Sequence, residues 1–82
     1  MLNVLYFARL RDALGVAQED IPEGAATVRE LVAQLVARGG VWAEELGGAR
    51  VFRVAINQDM AQLDDAIPAN AEIAIFPPVT GG

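Results

Sequence analysis

The sequence predicts an α+β fold: a mixed sheet of four to five strands, one main helix at about residues 28–38, and short helical turns. Three observations predict it. The opening residues are apolar almost throughout and rich in strand formers. Residues 27–40 then carry a helix start, one apolar face and a helix stop. The second half returns to apolar residues that alternate with a period of two.

The first strand is expected over Leu2 to Ala8, with Leu2, Val4 and Tyr6 on one face and Asn3, Leu5 and Phe7 on the other. Arg9 to Leu14 reads as a short helical turn closed by Gly15, and Val16 to Ile21 as a second strand. Pro22-Glu23-Gly24 is a turn signal. Thr27-Val28-Arg29-Glu30 has the spacing of a capping box, in which the Thr and Glu side chains each satisfy an otherwise unpaired amide. Val28, Leu31, Val32, Leu35 and Val36 follow at the spacing of one helical face. Arg38 sits in the last turn, and Gly39-Gly40 stops the helix.

Val41 to Leu46 is expected to be a further helical turn anchored by Trp42. Gly47-Gly48 leads into a strand over Arg50 to Asn57, where Phe52, Val54 and Ile56 alternate with Val51, Arg53 and Ala55. Asn57-Gln58-Asp59 is a tight turn into a short strand at Ala61 to Leu63, and Pro68-Ala69-Asn70 is a loop. The last strand is Glu72 to Phe76, with Ile73 and Ile75 inward and Glu72, Ala74 and Phe76 outward. Pro77-Pro78 ends it, since neither residue can donate to a ladder. A hairpin, a helix across one face and further strands make the β-grasp arrangement. This divides the chain into a domain at 1–76 and an extended tail at 77–82.

Composition narrows the function. The 82 residues contain no Cys, His, Ser or Lys, and all six basic residues are Arg. That removes cysteine and serine nucleophiles, histidine bases, Schiff-base lysines and thiolate or imidazole metal sites. A net charge of −5 without a basic run suits neither nucleic acid nor an anionic membrane. No apolar run reaches transmembrane length and no cleavable signal precedes the first strand, which points to a soluble, cytoplasmic protein. Adjacent carboxylates at Asp64-Asp65 and Glu44-Glu45 point apart, so both pairs read as solvated turns and no metal site is expected. Thr27 is a cap, while Tyr6 and Trp42 are packing anchors.

The group suited to covalent chemistry is the α-carboxylate of Gly82. The final strand launches the short tail Pro77, Pro78, Val79, Thr80, Gly81 and Gly82 from a rigid base. The prolines stiffen its root, and the two glycines let it thread a narrow channel in another protein. Its extended reach is about 20 Å at ~3.3 Å per residue. A carboxylate resists nucleophiles until its oxygen becomes a leaving group, and nothing in this sequence binds ATP. A partner must adenylate it.

These residues carry a resemblance over essentially the whole length. Val4 to Gly15, the Thr27–Leu31 helix start, Trp42, the strand ending in Asn57-Gln58, and Glu72 to Gly82 closing on FPPVTGG resemble the MoaD-type small subunits of molybdopterin synthase, which are ubiquitin-like sulfur carriers. The resemblance implies that a ubiquitin-activating-enzyme-like partner uses Mg and ATP to adenylate Gly82, and that a sulfurtransferase supplies sulfur to give the thiocarboxylate. It further implies that the tail inserts into the large synthase subunit, in a heterotetramer, and donates sulfur to cyclic pyranopterin monophosphate. Catalytic side chains and bound cofactors would then belong to the partners, with none in this chain.

The strand faces suggest where partners dock. Phe7 and Phe76 fall on the outer face, Met60 lies just past the Asn57–Asp59 turn, and Arg11 is a polar neighbour, so these four form the expected partner-binding patch. Other readings stay open: a sulfur carrier for thiamine or tRNA thiolation, a protein modifier, or an interaction module with an idle tail. Without lysine, this chain could be conjugated to itself only through its N-terminus.

Overall fold

A computed structural model describes residues 1–48 and 50–78. In chain order its elements are β1 (Leu2–Tyr6), α1 (Ala8–Leu14), β2 (Gln18–Ile21), α2 (Val28–Val36), α3 (Val41–Leu46), β3 (Arg53–Ile56), β4 (Asp59–Ala61) and β5 (Glu72–Phe76). The strands make one five-stranded sheet in the order β2-β1-β5-β3-β4. β1 and β5 run parallel, and the other neighbours are antiparallel. The first and last strands therefore lie side by side at the centre, the mixed β-grasp sheet the sequence predicts.

Alternation decides which face is covered. Leu2, Val4 and Tyr6 of β1, Val54 of β3, and Ile73 and Ile75 of β5 turn inward and are buried. Val28, Leu31, Val32 and Leu35 of α2 complete the same core, with Leu10 of α1 and Leu46 of α3. Each fully buried side chain of this size contributes about 1.5–3 kcal/mol, so the inner rows of β1 and β5 carry much of the stability.

The helix start forms as a capping box with one changed partner. The Glu30 N–H donates to Thr27 Oγ1 at 3.3 Å, while Glu30 Oε1 accepts from the Ala26 N–H at 3.2 Å. The next amides of α2 are met by the 62–67 loop, with Val28 N–H on the Asp65 carbonyl and Arg29 N–H on that of Leu63.

Several boundaries differ from those the sequence predicts. Ala8 belongs to α1, since β1 ends at Tyr6 and Phe7 becomes the N-cap. β2 is shorter than expected, starting at Gln18, and β3 starts at Arg53. α2 stops at Val36, two residues early. Beyond it the bonds tighten to Arg38 N–H on Leu35 and Gly39 N–H on Val36, and Gly39 and Gly40 take φ of 76° and 55°, where glycine suffers no steric penalty. α3 is a full helix rather than a turn.

The short strand is Asp59–Ala61, not Ala61–Leu63. Asn57 and Gln58 both have positive φ, so the hairpin closes in two residues and Ile56 pairs directly with Asp59. Gln62 then leaves the ladder because its N–H donates to Asp65 Oδ2 at 2.8 Å. Ala55 is also buried, although its neighbours on that face are exposed, because it lies between Met60 and Ala74. Among the described residues no helix is long and apolar enough to cross a membrane.

Candidate functional site

β5 is the element that points the tail. It runs between β1 and β3, and its last residue, Phe76, is paired with Arg53. On the other side Tyr6 is level with Ile75, and the Phe7 N–H donates to the Ile75 carbonyl at 3.2 Å. Phe7 therefore lies beside Phe76 at the end of the central strand pair. Phe7 is 44% exposed, and Phe76, Pro77 and Pro78 are half-buried. The chain leaves the middle of the sheet, where β3 holds Phe76 and β1 holds Ile75. Val79, Thr80, Gly81 and Gly82 lie outside the described residues.

Met60 shares this outer face. It pairs with Ala55, which pairs with Ala74, so it lies two strands from β5 and is 64% exposed. Two strand spacings are about 10 Å. Arg11 is exposed on α1, four residues past Phe7, with Asp12 Oδ1 at 3.8 Å from its Nε. The fold thus gathers Phe7 and Phe76 beside the exit, with Met60 across the same face and Arg11 on the helix that Phe7 caps.

Alternation puts Arg53 on the face opposite Val54, but its position opposite Phe76 depends on strand register, which composition does not carry. Arg50 and Arg53 line a groove of about 560 Å³ together with Val51, Phe52, Met60 and Leu63. Glu45 corrects an expectation. It is not a solvated turn residue: it is 6% exposed, forms an ion pair with Arg9, and has Arg50 Nη1 at 3.9 Å. A buried carboxylate needs such partners, because removal from water costs several kcal/mol.

The other acidic pair behaves as a turn. Asp64 Oδ1 accepts from Arg29 Nε at 2.9 Å, which holds its carboxyl below the usual range, and Asp65 closes the turn at Gln62. Among the described residues no group of three carboxylates could hold a metal ion. Tyr6 and Trp42 pack edge to face with ring centroids 5.4 Å apart. Arg38 covers the Trp42 ring at 4.4 Å and bonds Glu19, so this cluster is a structural clasp, built on Tyr6, whose side chain is buried on the face of the sheet opposite Phe7 and Phe76.

A model of the ThiS family matches residues 4–82. The chain is 42% identical to the molybdopterin synthase sulfur carrier subunit of Haemophilus influenzae over the whole of both chains. Among solved structures it resembles SAMP1 from Haloferax volcanii, with a TM-score of 0.72, 30% identity and 99% and 98% of the two chains covered. It also resembles a chain in the complex of subunits 1 and 2 of the molybdopterin-converting factor from Helicobacter pylori, with a TM-score of 0.68, 26% identity and 99% and 97% coverage.

Proposed function

The chain belongs to the ThiS family, and we propose that it is the sulfur carrier subunit of molybdopterin synthase. The observation that carries this reading is the 42% identity, end to end, with a sulfur carrier subunit of that enzyme. The geometry agrees: a rigid sheet delivers Phe76-Pro77-Pro78 outward between two strands, next to an exposed apolar patch.

In the proposed cycle the Gly82 carboxylate attacks the α-phosphorus of ATP on an adenylyltransferase, with Mg bound there, and pyrophosphate leaves. Sulfur supplied by way of a sulfurtransferase and reduced to the sulfide level attacks the Gly82 carbonyl carbon, AMP leaves, and the thiocarboxylate remains. The tail then enters the large subunit and gives its one sulfur to cyclic pyranopterin monophosphate, with water restoring the Gly82 carboxylate, and a second charged chain supplies the other sulfur of the dithiolene. This chain supplies no catalytic side chain. It offers a docking body and one reactive end, in the cytoplasm, where ATP and reduced sulfur are available. Phe7, Arg11, Met60 and Phe76 form the docking patch, and Pro77 to Gly82 thread the partner.

The test uses the purified chain with its activating partner, ATP and a sulfur source under thiol-protecting conditions. Mass spectrometry should show a species heavier by the difference between one sulfur and one oxygen, and that species should support molybdopterin formation by the large subunit. Deleting Gly82 should abolish both while leaving the fold intact. Sulfur transfer by the deleted chain would refute the reading.

The 30% identity to SAMP1, a small archaeal modifier protein by the name of its second crystal structure, favours protein modification as the alternative. Incubation with the same activating enzyme separates the two: a carrier ends as free thiocarboxylate, and a modifier ends joined to the lysines of other proteins.

A further inference from the structure

The charges of this chain are sorted by the direction of its central strand. Four of the six arginines gather where β5 ends. Arg53 is paired with Phe76. Arg9 and Arg11 lie on α1, which starts directly after Phe7, and the Phe7 N–H is bonded to the Ile75 carbonyl. Arg50 approaches the same carboxylate, Glu45, as Arg9 does.

Carboxylates collect at the other end of the strand, about 13 Å away at ~3.3 Å per residue. Glu72 opens β5, and Asp20 lies on the other side of Asn3 from it. Asp59 is opposite Ile56, whose own neighbour is Ile73. Glu23 lies at the N-terminus, 2.8 Å from the Met1 ammonium.

The positive end keeps charge to present outward. Glu45 is buried and spent on Arg9 and Arg50, while Asp12 beside Arg11 and Glu44 on α3 offset part of the remainder. Among the described residues Arg53 has no carboxylate within ion-pair distance. Arg11, Arg50 and Arg53 are exposed. They border the apolar residues Phe7, Phe76 and Met60, and Arg50 and Arg53 share a groove with Val51 and Met60. An apolar centre with a charged rim is the usual anatomy of a protein interface. Guanidinium forks bind carboxylates two bonds at a time, so the fitting partner surface is acidic.

We propose that this basic end is complementary to an acidic rim around the partner channel that receives the tail, and that the chain's charge polarity turns it tail-first during encounter. The proposal rests on the sulfur-carrier reading and adds the chemistry of the receiving surface. A chain of net charge −5 is repelled by an acidic partner in most orientations. Presenting the arginine end converts that repulsion to attraction in the one orientation where the tail can enter.

Stopped-flow association with the large synthase subunit tests this. Raising ionic strength from about 10 mM to about 150 mM shortens the screening length from roughly 30 Å to roughly 8 Å, and the association rate of the wild-type chain should fall. The double variant Arg11→Glu/Arg53→Glu should associate about tenfold or more slowly at low salt, with its salt dependence lost or reversed. Arg11→Gln/Arg53→Gln, with unchanged melting, should still show a fall of about threefold, which separates charge from misfolding. Asp20→Asn, at the end turned away from the partner, should change the rate by less than about twofold, and a larger fall than in Arg11→Gln/Arg53→Gln would overturn the placement of the attractive charge at the arginine end. Wild-type binding with a salt-independent rate, or glutamate variants within about twofold of it, would overturn the proposal and leave the carrier reading standing. Absence of any wild-type binding to the large subunit would overturn both.

Discussion

Glu19 holds one guanidinium with both of its oxygens: Arg38 Nη1 donates to Oε2 at 2.9 Å and Nη2 to Oε1 at 2.8 Å. The Tyr6 hydroxyl donates to the same Oε2 at 2.8 Å. Because Arg38 also covers Trp42, and Trp42 meets the Tyr6 ring, one carboxylate on the edge strand β2 ties together β1, α3 and the turn after α2. A bidentate pair backed by an aromatic plane is held more firmly than an ordinary surface ion pair, which is worth about 0–1 kcal/mol.

This clasp sets the pH dependence of stability. The Arg38 guanidinium, joined by the Tyr6 hydroxyl and opposed by burial, lowers the Glu19 carboxyl from its ordinary 4.5. The folded chain binds that proton less readily than the unfolded chain. The stabilisation is therefore complete above the unfolded value and drains as pH falls through the lowered folded value. Tyr6 works in the opposite direction. Burial first, then its bond to Glu19, raises the phenol above its ordinary 10.0, so its contribution is complete below that value and is lost as pH rises beyond it. Thermal melting across pH should show a plateau with an acid limb and an alkaline limb. Glu19→Gln should lower the plateau by about 1 kcal/mol, roughly 4–8 °C for a domain of this size, and make the acid limb shallower. An acid limb of unchanged slope in Glu19→Gln would show that Glu19 does not set it.

The β3–β4 hairpin is stabilised by its second turn residue less than it could be. Gln58 has φ of 73°, a conformation that costs a residue with a Cβ about 1–2 kcal/mol. Asn57 before it also has positive φ, and its side chain is in use: Oδ1 accepts from the Glu72 N–H at 2.9 Å. Gln58→Gly should relieve the strain and lose part of that gain to the freedom of the unfolded chain. The expected result is a net stabilisation of about 0.5–1 kcal/mol, read as a rise of roughly 3–6 °C in calorimetry. A fall in melting temperature would mean that the Gln58 side chain contributes more than its backbone costs.

Those two sites show what a sequence does and does not expose. Inward rows such as Leu2, Val4 and Tyr6, or Val28, Leu31 and Leu35, are written in local periodicity, so the β-grasp sheet and its helix follow from it. Phe7 and Phe76 are placed on one face by the same alternation. Boundaries were less legible because they depend on single bonds: the Gln62 N–H on Asp65 cuts β4 short, and the bonds to Leu35 and Val36 wind up α2 early. Glu45 reads from sequence as one of two adjacent solvated carboxylates, and only tertiary packing brings Arg9 and Arg50 to it while Glu44 stays exposed. The pairing of Arg53 with Phe76, and with it the sorting of charge, needs the register between β3 and β5.

Phe76 is the residue where docking and folding can be told apart. Its neighbours along β5, Ile73 and Ile75, are fully buried, but Phe76 itself faces the other side and stays half-buried next to exposed Phe7. Removing its ring takes little from the core, which sits on the opposite face of the sheet. It takes much from a surface that would be covered when the tail enters a partner, where a buried aromatic anchor is worth about 2 kcal/mol or more. Phe76→Ala should therefore raise the Kd for the large synthase subunit by about thirtyfold. The isolated variant should melt within about 5 °C of the wild type. Titration calorimetry against the large subunit, paired with a melt of the chain alone, reads both numbers. A variant that melts far lower but binds with unchanged affinity would place Phe76 in the folding core and outside the docking patch.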